Sequence, residues 1–554
     1  MKDFDAVKWI RRSTGNRDAE GVGLILLNAL VAVCTTLFAV ISKRVIDFAQ
    51  KGDLEQLKKY AVILFAAIAV QMAARIFSSL LEAVSQGKAE ICLKTKVFSS
   101  ILSGNFAKIS TYHSGELMTR LTADVTAVSE QSVHIVPAAV LNVVKVVSAA
   151  VTLLALDRKF AIVFMVCGAA VSVVALALRN PLKRLYRKVL EKDGVLRSFM
   201  QETVENLFAV KIFGIEKKMV KRSEKRQKAL YSAKLKRVGI SVLSQIGFSF
   251  AFGMGFLAAV AYGANGILNG TMTFGTVTSL ILLVNQLQSP ISGITSIIPS
   301  FFGMVTSADR LMEITENKTE NKAYENISYE DFEGIDASAL YFDYDGELVI
   351  ENADFSIDKG DFVGICGRSG AGKTTLFKLL TGLYEPVSGK VNVRTAKGIK
   401  EANSLRSLIS FVPQSNMLFS GTLRENLSLL NPKATDEEIE NVLKFSCADE
   451  FVNNFPLGLE TRLGEDGSGI SQGQAQRLAI ARALLSGKKI LLMDEATSSL
   501  DAETERKLIT NLKELHGVTV LFITHREEVL HNCNKIIHIS GGEIDVQIKR
   551  NMLQ

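Results

Sequence analysis

Charge is absent from long stretches of the first 310 residues. Residues 21–42 form 22 positions without a charge, residues 160–178 form 19, and residues 238–308 form 71. About 20 apolar residues carry a helix across the hydrocarbon core. The longest stretch therefore holds two crossings, and its Gly/Asn/Thr cluster at 263–275 (GANGILNGTMTFG) predicts the turn between them. Two further segments are apolar apart from one charge each: 60–81 with Arg75, and 133–156 with Lys145. The pattern predicts six spans, at about 21–43, 60–82, 133–156, 159–179, 239–264 and 273–306, within a transmembrane domain over 1–315. A soluble core helix explains one such run, but not six.

The periodicity then changes. A charged stretch at 313–336 reads as a linker, with 316–335 as its body. Beyond it, short apolar runs at 361–366, 409–413, 489–494 and 518–524 alternate with helical segments. That alternation predicts an α/β domain with a largely parallel sheet over 336–554. The expected fold is thus an all-α six-helix transmembrane domain followed by an α/β domain.

Composition divides along the same line. The chain is 48% hydrophobic and 22% charged, with a net charge of +7. Residues 1–315 carry +17 and the remainder −10. The loop at 179–238 alone carries +12, and Lys2, Lys8, Arg11, Arg12 and Arg17 precede the first span. Positive loops stay in the cytosol, so both termini are expected there, in a multi-pass protein of the plasma membrane, the inner membrane in a bacterium. The links near 157–159 and 263–275 become external turns. Five Lys and Arg in the link at 43–59 run against the charge rule. The loops at 82–132 and 179–238 are long enough for helices that project beyond the bilayer. The first apolar run is too long for a cleavable signal peptide. Residues 4–12 hold the only Trp, Trp9, beside two Arg, and fit either an amphipathic headgroup-level segment or a tail. Six scattered Cys without a CxxC pair predict neither disulfides nor a metal site.

The α/β half carries chemistry. Gly367-Arg368-Ser369-Gly370-Ala371-Gly372-Lys373-Thr374 follows a strand and opens a helix, as a phosphate loop requires. Gly367, Ser369, Gly370 and Gly372, with Thr375 in the first helical turn, turn the backbone toward phosphates. Lys373 reaches the β/γ-phosphates and Thr374 offers its hydroxyl to Mg²⁺. The strand 489–493 ends in Asp494-Glu495, an acid suited to Mg²⁺ and a second suited to polarise water. ATP and Mg²⁺ are the cofactors this set calls for.

Ser471-Gln472-Gly473-Gln474, followed by Ala475-Gln476-Arg477 and LAIARALL, resembles the signature of ATP-binding cassette (ABC) proteins. With the spans, the whole chain resembles a half-transporter of the ABC exporter type. The resemblance implies that Tyr344 stacks on adenine and that Gln414 senses Mg²⁺ and the transmembrane domain. It implies that Asp494 binds Mg²⁺, Glu495 is the catalytic base, and His525 contacts the γ-phosphate. Ser471, Gly473 and Gln474 would face a phosphate across a dimer, and Ser499-Leu500-Asp501 would touch the opposite subunit. Segments 112–125 and 202–218 would each form a short helix docked on a nucleotide-binding domain, and Gly464-Glu465-Asp466-Gly467 would touch the membrane-domain loops. Two departures stand out: Ile470 and Gln472 replace the commoner Leu and Gly of the signature, and Asp466 replaces an arginine.

The implied function is ATP-driven export of a small molecule, lipid or peptide by a dimer with two sandwiched ATP sites. A homodimer is favoured because Glu495 and His525 are both present. The active half of a heterodimer, and an exporter-shaped importer, stay open. The partners expected are a second half-transporter, the lipid bilayer and a substrate the spans do not name; six spans exclude a nucleic-acid role. Lys145 lies ~18 Å from the outer end of its span, near mid-membrane, a place for either function or a structural contact. Arg75 is expected to be structural.

Overall fold

The computed structural model describes residues 2–15, 17–316, 326–344, 346–414, 417–464, 467–515 and 517–548. Residues 317–325 of the expected linker, and Glu465 and Asp466, lie outside them. The chain divides into two compact units, Met1–Leu102 with His113–Glu316, and Ser103–Tyr112 with Asn317–Gln554.

The first unit is helical. Helix α1 (Lys2–Ser13) precedes α2 (Asp18–Lys51) and α3 (Leu54–Ser103); α4 (Phe106–Ile109) follows and belongs to the second unit. Then come α5 (Ser114–Thr119), α6 (Val125–Leu156), α7 (Arg158–Glu205), α8 (Leu207–Ile212), α9 (Glu216–Leu268) and α10 (Phe274–Thr315). Each expected apolar span falls within one of six long helices, α2, α3, α6, α7, α9 and α10. Four stretches of described residues are long and apolar enough to cross a membrane: Asp18–Lys51, Leu54–Ser103, Ser114–Leu156 and Glu216–Leu268. The 50 residues of α3 extend ~75 Å at 1.5 Å each, more than twice the hydrocarbon thickness.

Helix ends follow local chemistry. Gly52 ends α2 at φ +73°, a left-handed conformation that suits glycine. Asp157 alone separates α6 from α7 and accepts from the Phe160 amide at 2.8 Å. The turn expected at 263–275 is shorter than the glycines suggested. Helix α9 runs on to Leu268, because Gly263 is a packing glycine: a Cβ there would sit 2.6 Å from Val277. Trp9 and Ile10 of α1 are buried with Leu93, Val97, Val305 and Leu311, so this segment is a packed helix and not a tail.

Between α5 and α6, Arg120–Asp124 form one wide π-helical turn. Both end residues are buried. Arg120 donates to the Arg310 carbonyl at 2.5 Å, to Glu313 at 3.0 Å and to Glu116 at 2.7 Å. Asp124 accepts from Ser307 at 2.8 Å and Arg310 at 2.7 Å. The wide turn is thereby fastened to the end of α10.

The second unit has three sheets. Strands β1 (Phe332–Tyr344), β2 (Glu347–Asp358), β4 (Ser388–Thr395) and β5 (Gly398–Glu401) form an antiparallel sheet in the order β2-β1-β4-β5. The central sheet runs β12-β11-β3-β10-β9-β6, from β3 (Phe362–Gly367), β6 (Ile409–Val412), β9 (Ile490–Asp494), β10 (Thr519–Ile523), β11 (Lys535–Ser540) and β12 (Glu543–Ile548). Its pairs are parallel except β11 with β12. β7 (Gly421–Thr422) and β8 (Arg462–Leu463) form a small third sheet. Helix α11 (Lys373–Leu380) follows β3; α12 (Leu423–Leu427), α13 (Asp436–Phe445) and α14 (Asp449–Asn453) lead to α15 (Gln472–Leu485), which precedes β9, and α16 (Ala502–Glu514) precedes β10. β9 and β10 are buried along their whole length, so they read as unbroken apolar runs. The carboxyl ends of β3, β9 and β10 open side by side, which gathers their loops.

The docked segment differs from expectation. Ser103–Tyr112, with α4, packs in the second unit, and 113–125 belongs to the first. There Phe106 meets Tyr384 edge-on at 6.0 Å, and Ser110 Oγ lies 3.2 Å from Tyr384 Oη. The amphipathic pattern extends over both stretches, so it does not mark which one docks.

Candidate functional site

The loop from β3 to α11 is held by its own backbone. Gly370 and Gly372 adopt φ +79° and +97°, and a Cβ on Gly372 would lie 2.6 Å from Val349. Only glycine fits both demands. Lys373 is buried, and its Nζ donates to the carbonyls of Gly367 and Arg368 at 2.9 Å each. The ammonium is thus folded over the loop where phosphate oxygens would compete for it. Gly372 caps α11 without a side-chain acceptor, which leaves helix N–H groups free for an anion. Ser369 and Gly370 complete the exposed crest of the loop.

Asp494 ends β9 in a buried position and accepts from the Thr374 hydroxyl at 2.9 Å. Burial pushes its carboxyl above the usual carboxylate range; the Thr374 hydrogen bond opposes this, and the Glu495 charge adds to it. A nearby cation would reverse the penalty. Glu495, the next residue, has φ +48°, a strained conformation for a non-glycine residue. Its amide donates to the Ile523 carbonyl at 2.9 Å, which holds the turn. Gln414 Nε2 donates to Glu495 Oε2 at 2.7 Å, and His525 Nε2 stands 3.7 Å from Glu495 Oε1. Three residues from three loops meet at one carboxylate. A cavity of about 800 Å³ adjoins them, lined among others by Thr374, Gln414, Asp494 and Gln472.

Tyr344 lies beside the loop. Its hydroxyl is 3.2 Å from Thr375 Oγ1, and its ring meets Tyr384 edge-on at 5.7 Å. Ser471 begins α15 with a reciprocal cap: its Oγ accepts from the Gln474 amide at 3.3 Å, and Gln474 Oε1 accepts from the Ser471 amide at 2.9 Å. The Ser471 O–H stays available to donate. Among the described residues no hydrogen bond joins Ser471 or Gly473 to the phosphate loop of the same chain. Gly473 is needed for a close approach, since a Cβ would lie 2.8 Å from the Ser499 carbonyl. Gln472 is exposed at the first helical position, so its side chain displaces nothing. Asp501 caps α16 by accepting from the Thr504 amide at 2.9 Å, which holds its carboxyl below the usual range.

Two residues to which the sequence assigned no role tie these loops together. Gln476 donates to Ser498 Oγ at 3.2 Å and accepts from the Ser499 amide at 3.1 Å. Arg526 donates to the Ser498 carbonyl and to the buried Glu505, each at 2.8 Å. Gln476 lies in the signature run and Arg526 follows His525, but only the fold shows that they converge on residues 498–501.

The description "ABC transporter transmembrane region" matches residues 22–291, and "ABC transporter" matches residues 350–498. A multidrug resistance ABC transporter ATP-binding and permease protein of Lactococcus lactis subsp. cremoris is 30% identical over 475 residues, covering 83% of this chain and 79% of its own. The chain belongs to the ABC transporter family. This ABC transporter is also 26% identical to an ATP-dependent lipid A-core flippase of Syntrophus aciditrophicus, over 94% of this chain and 88% of that one. Its fold matches a bacterial Atm1-family ABC exporter with ATP bound, with a TM-score of 0.81 over 97% of this chain and 96% of that one, at 21% identity. A helical transmembrane domain precedes an α/β nucleotide-binding domain that hydrolyses ATP to drive transport. By family and fold it is an ATP-driven ABC exporter.

Proposed function

We propose that the chain works as a homodimer in the plasma membrane, both termini in the cytosol, exporting a small molecule, lipid or peptide. Each ATP is held by the phosphate loop of one protomer and closed by Ser471, Gly473 and Gln474 of the other. The observation that carries this reading is the meeting of Gln414, Glu495 and His525 at one strained carboxylate, beside Thr374 and Asp494. Among the described residues no hydrogen bond brings the signature donors of the same chain to that loop, which supports completion of the site by a second nucleotide-binding domain.

Mg²⁺ fits the donors present. A hydroxyl, a buried carboxylate and the Gln414 amide oxygen are hard oxygen ligands. The ion would be held by Thr374, Asp494 and Gln414 and would offset charge on the phosphates. Lys373 exchanges the two loop carbonyls for phosphate oxygens. Tyr344 presents an aromatic face to the base. Glu495 accepts the proton of the attacking water, and Gln414 holds the acceptor oxygen in place. His525 donates toward the γ-phosphate. Asp501 and its loop reach the opposite site.

Purified alone in lipid, the chain should hydrolyse ATP, and Glu495→Gln should lower turnover by about 10²- to 10⁴-fold while trapping an ATP-bound dimer. Full turnover in Glu495→Gln would remove the base assignment. No turnover until a different half-transporter is added would replace the homodimer with a heterodimer.

A further inference from the structure

The cations of the 43–59 link run against the charge rule, and the structure shows what surrounds them. Three turns meet at one end of the helical unit. Asp47 of α2 accepts from the Gly275 amide of α10 at 3.1 Å, and Asp157, between α6 and α7, accepts from the Tyr262 hydroxyl of α9 at 3.1 Å. This end carries Lys43, Arg44, Lys51, Lys58, Lys59, Arg158 and Lys159 against Asp47, Asp53, Glu55 and Asp157. Three of the acids are taken up by backbone: Asp47 by Gly275, Asp53 by the Gln56 amide at 3.1 Å and Asp157 by the Phe160 amide at 2.8 Å. Among the described residues none of the seven cations has a hydrogen-bond or ion-pair partner; Lys51 only overlies the Phe48 ring, 6.0 Å from its centre. Exposed cations elsewhere in this unit do find acids, as Lys94 finds Glu90 at 2.6 Å and Arg11 finds Asp18 at 3.1 Å.

The level of these cations identifies what they meet. Except for Lys51, each stands within two residues of an apolar segment, at 42, 60, 156 or 160. At 1.5 Å per residue that is ~3 Å from the hydrocarbon edge, within a headgroup layer about 5–8 Å deep. Tyr60 and Tyr262 mark the same level, stacked on Phe48 at 5.2 Å and on Phe160 at 5.5 Å, as amphipathic rings are at a membrane surface. All but the half-buried Lys43 are exposed. A soluble polyanion would be met by charge where the α2–α3 turn projects furthest, and there only Lys51 stands. Lipid phosphates lie at the depth of the other six, and their attraction for Lys and Arg fades within a Debye length of the surface.

We propose that this end is a basic collar for the anionic phospholipid headgroups of the external leaflet, each phosphate lying against Arg44, Lys58, Lys59, Arg158 or Lys159. The proposal rests on the reading that both termini are cytosolic, which makes this end the external one. It gives the cations that oppose the charge rule their counter-charge in the bilayer instead of in the chain.

The test uses the full chain carrying Gln50→Cys, an exposed position in the last turns of α2. Intact cells are treated with a membrane-impermeant fluorescent maleimide, with the unsubstituted chain as blank. The labelled protein is purified and placed in phosphatidylcholine vesicles in which brominated phosphatidylglycerol or brominated phosphatidylcholine quenches the label. Association with phosphatidylglycerol should be about tenfold that with phosphatidylcholine, and R44Q/K51Q/K58Q/K59Q should bring the ratio within about twofold. About 0.5 M salt should do the same to the parent. A control that removes four cations of the 179–238 loop, K217Q/K221Q/K225Q/K228Q, should keep the parent's ratio. Equal quenching by the two lipids in the parent, or an equal loss of preference in the control, overturns the collar. If the fourfold collar variant does not assemble, the parent's preference and its loss in salt decide. Labelling of Gln50→Cys only in inverted vesicles, with the lipid preference intact, would refute the orientation and keep the headgroup surface.

Discussion

Two clusters of charge in the helical unit invite comparison. Near the start of α6, Arg120 and Asp124 are buried, and each is engaged by side chains or carbonyls at the end of α10. Further along the same helix Lys145 is half-buried, and among the described residues no carboxylate pairs with it. Both sites bear the cost of taking charge from water. In the first, the protein supplies the partner, and the result is a fixed joint between two elements. In the second no carboxylate partner is present among the described residues, and the ammonium stays half-buried. The nucleotide-binding unit shows the same division. Arg526 is matched by Glu505, whereas Asp494 is held by one hydroxyl beside a like charge. A buried charge with its partners in place is structural, and one without them marks where a ligand belongs.

Breaking the satisfied joint should have the largest effect on stability. Arg120→Met removes at least three hydrogen bonds and leaves the Arg310 carbonyl without this donor, while Glu116 and Glu313 are open to water, at a cost of about 2 kcal/mol. A lowered thermal midpoint in detergent should report it. By the same comparison Lys145→Gln should leave the midpoint unchanged or raise it, since it removes a repulsion. A drop in Lys145→Gln as large as that in Arg120→Met would erase the distinction.

A smaller effect is expected at Arg526. Its two 2.8 Å bonds join the loop after His525 to Ser498 and to α16. Arg526→Ala should loosen residues 498–501 without touching the phosphate loop, lowering kcat about tenfold with KM for ATP little changed. A rise in KM at constant kcat would mean that Arg526 acts on nucleotide binding instead.

How much of this was legible beforehand follows from how local each signal is. The phosphate loop was readable because strand, glycines, Lys373 and helix are contiguous. The six apolar segments were readable because the bilayer imposes a length. Gly263 misled because a glycine that permits helix packing and one that permits a turn look alike in sequence. The docked segment was placed at 112–125 because amphipathic pattern does not distinguish Phe106, which meets Tyr384, from the residues that follow it. Gln476 and Arg526 were passed over because their partners lie more than 20 residues away.

The smallest effect is expected at the clearest departure from the family's motif. Gln472 stands where the signature usually has glycine, while Ser471, Gly473 and Gln474 are kept. The structure gives a reason why position 472 tolerates the change. Gln472 is exposed at the first position of α15, where a glycine has no conformational advantage. The glycine that is sterically required is Gly473, which lies against the Ser499 carbonyl and is retained. The Ser471 cap, which aims the hydroxyl, is made with Gln474 and does not involve position 472. Gln472→Gly should therefore change kcat by about twofold or less, and Gly473→Ala by about tenfold or more, because the added Cβ must displace backbone. The same ATPase assay reads both. An uncharged group in contact with water needs no partner, unlike Lys145, so its departure from the motif carries no cost for the dimer to relieve. A tenfold gain in Gln472→Gly would show that the side chain obstructs the closed site, and that exposure in one protomer is not exposure in the pair.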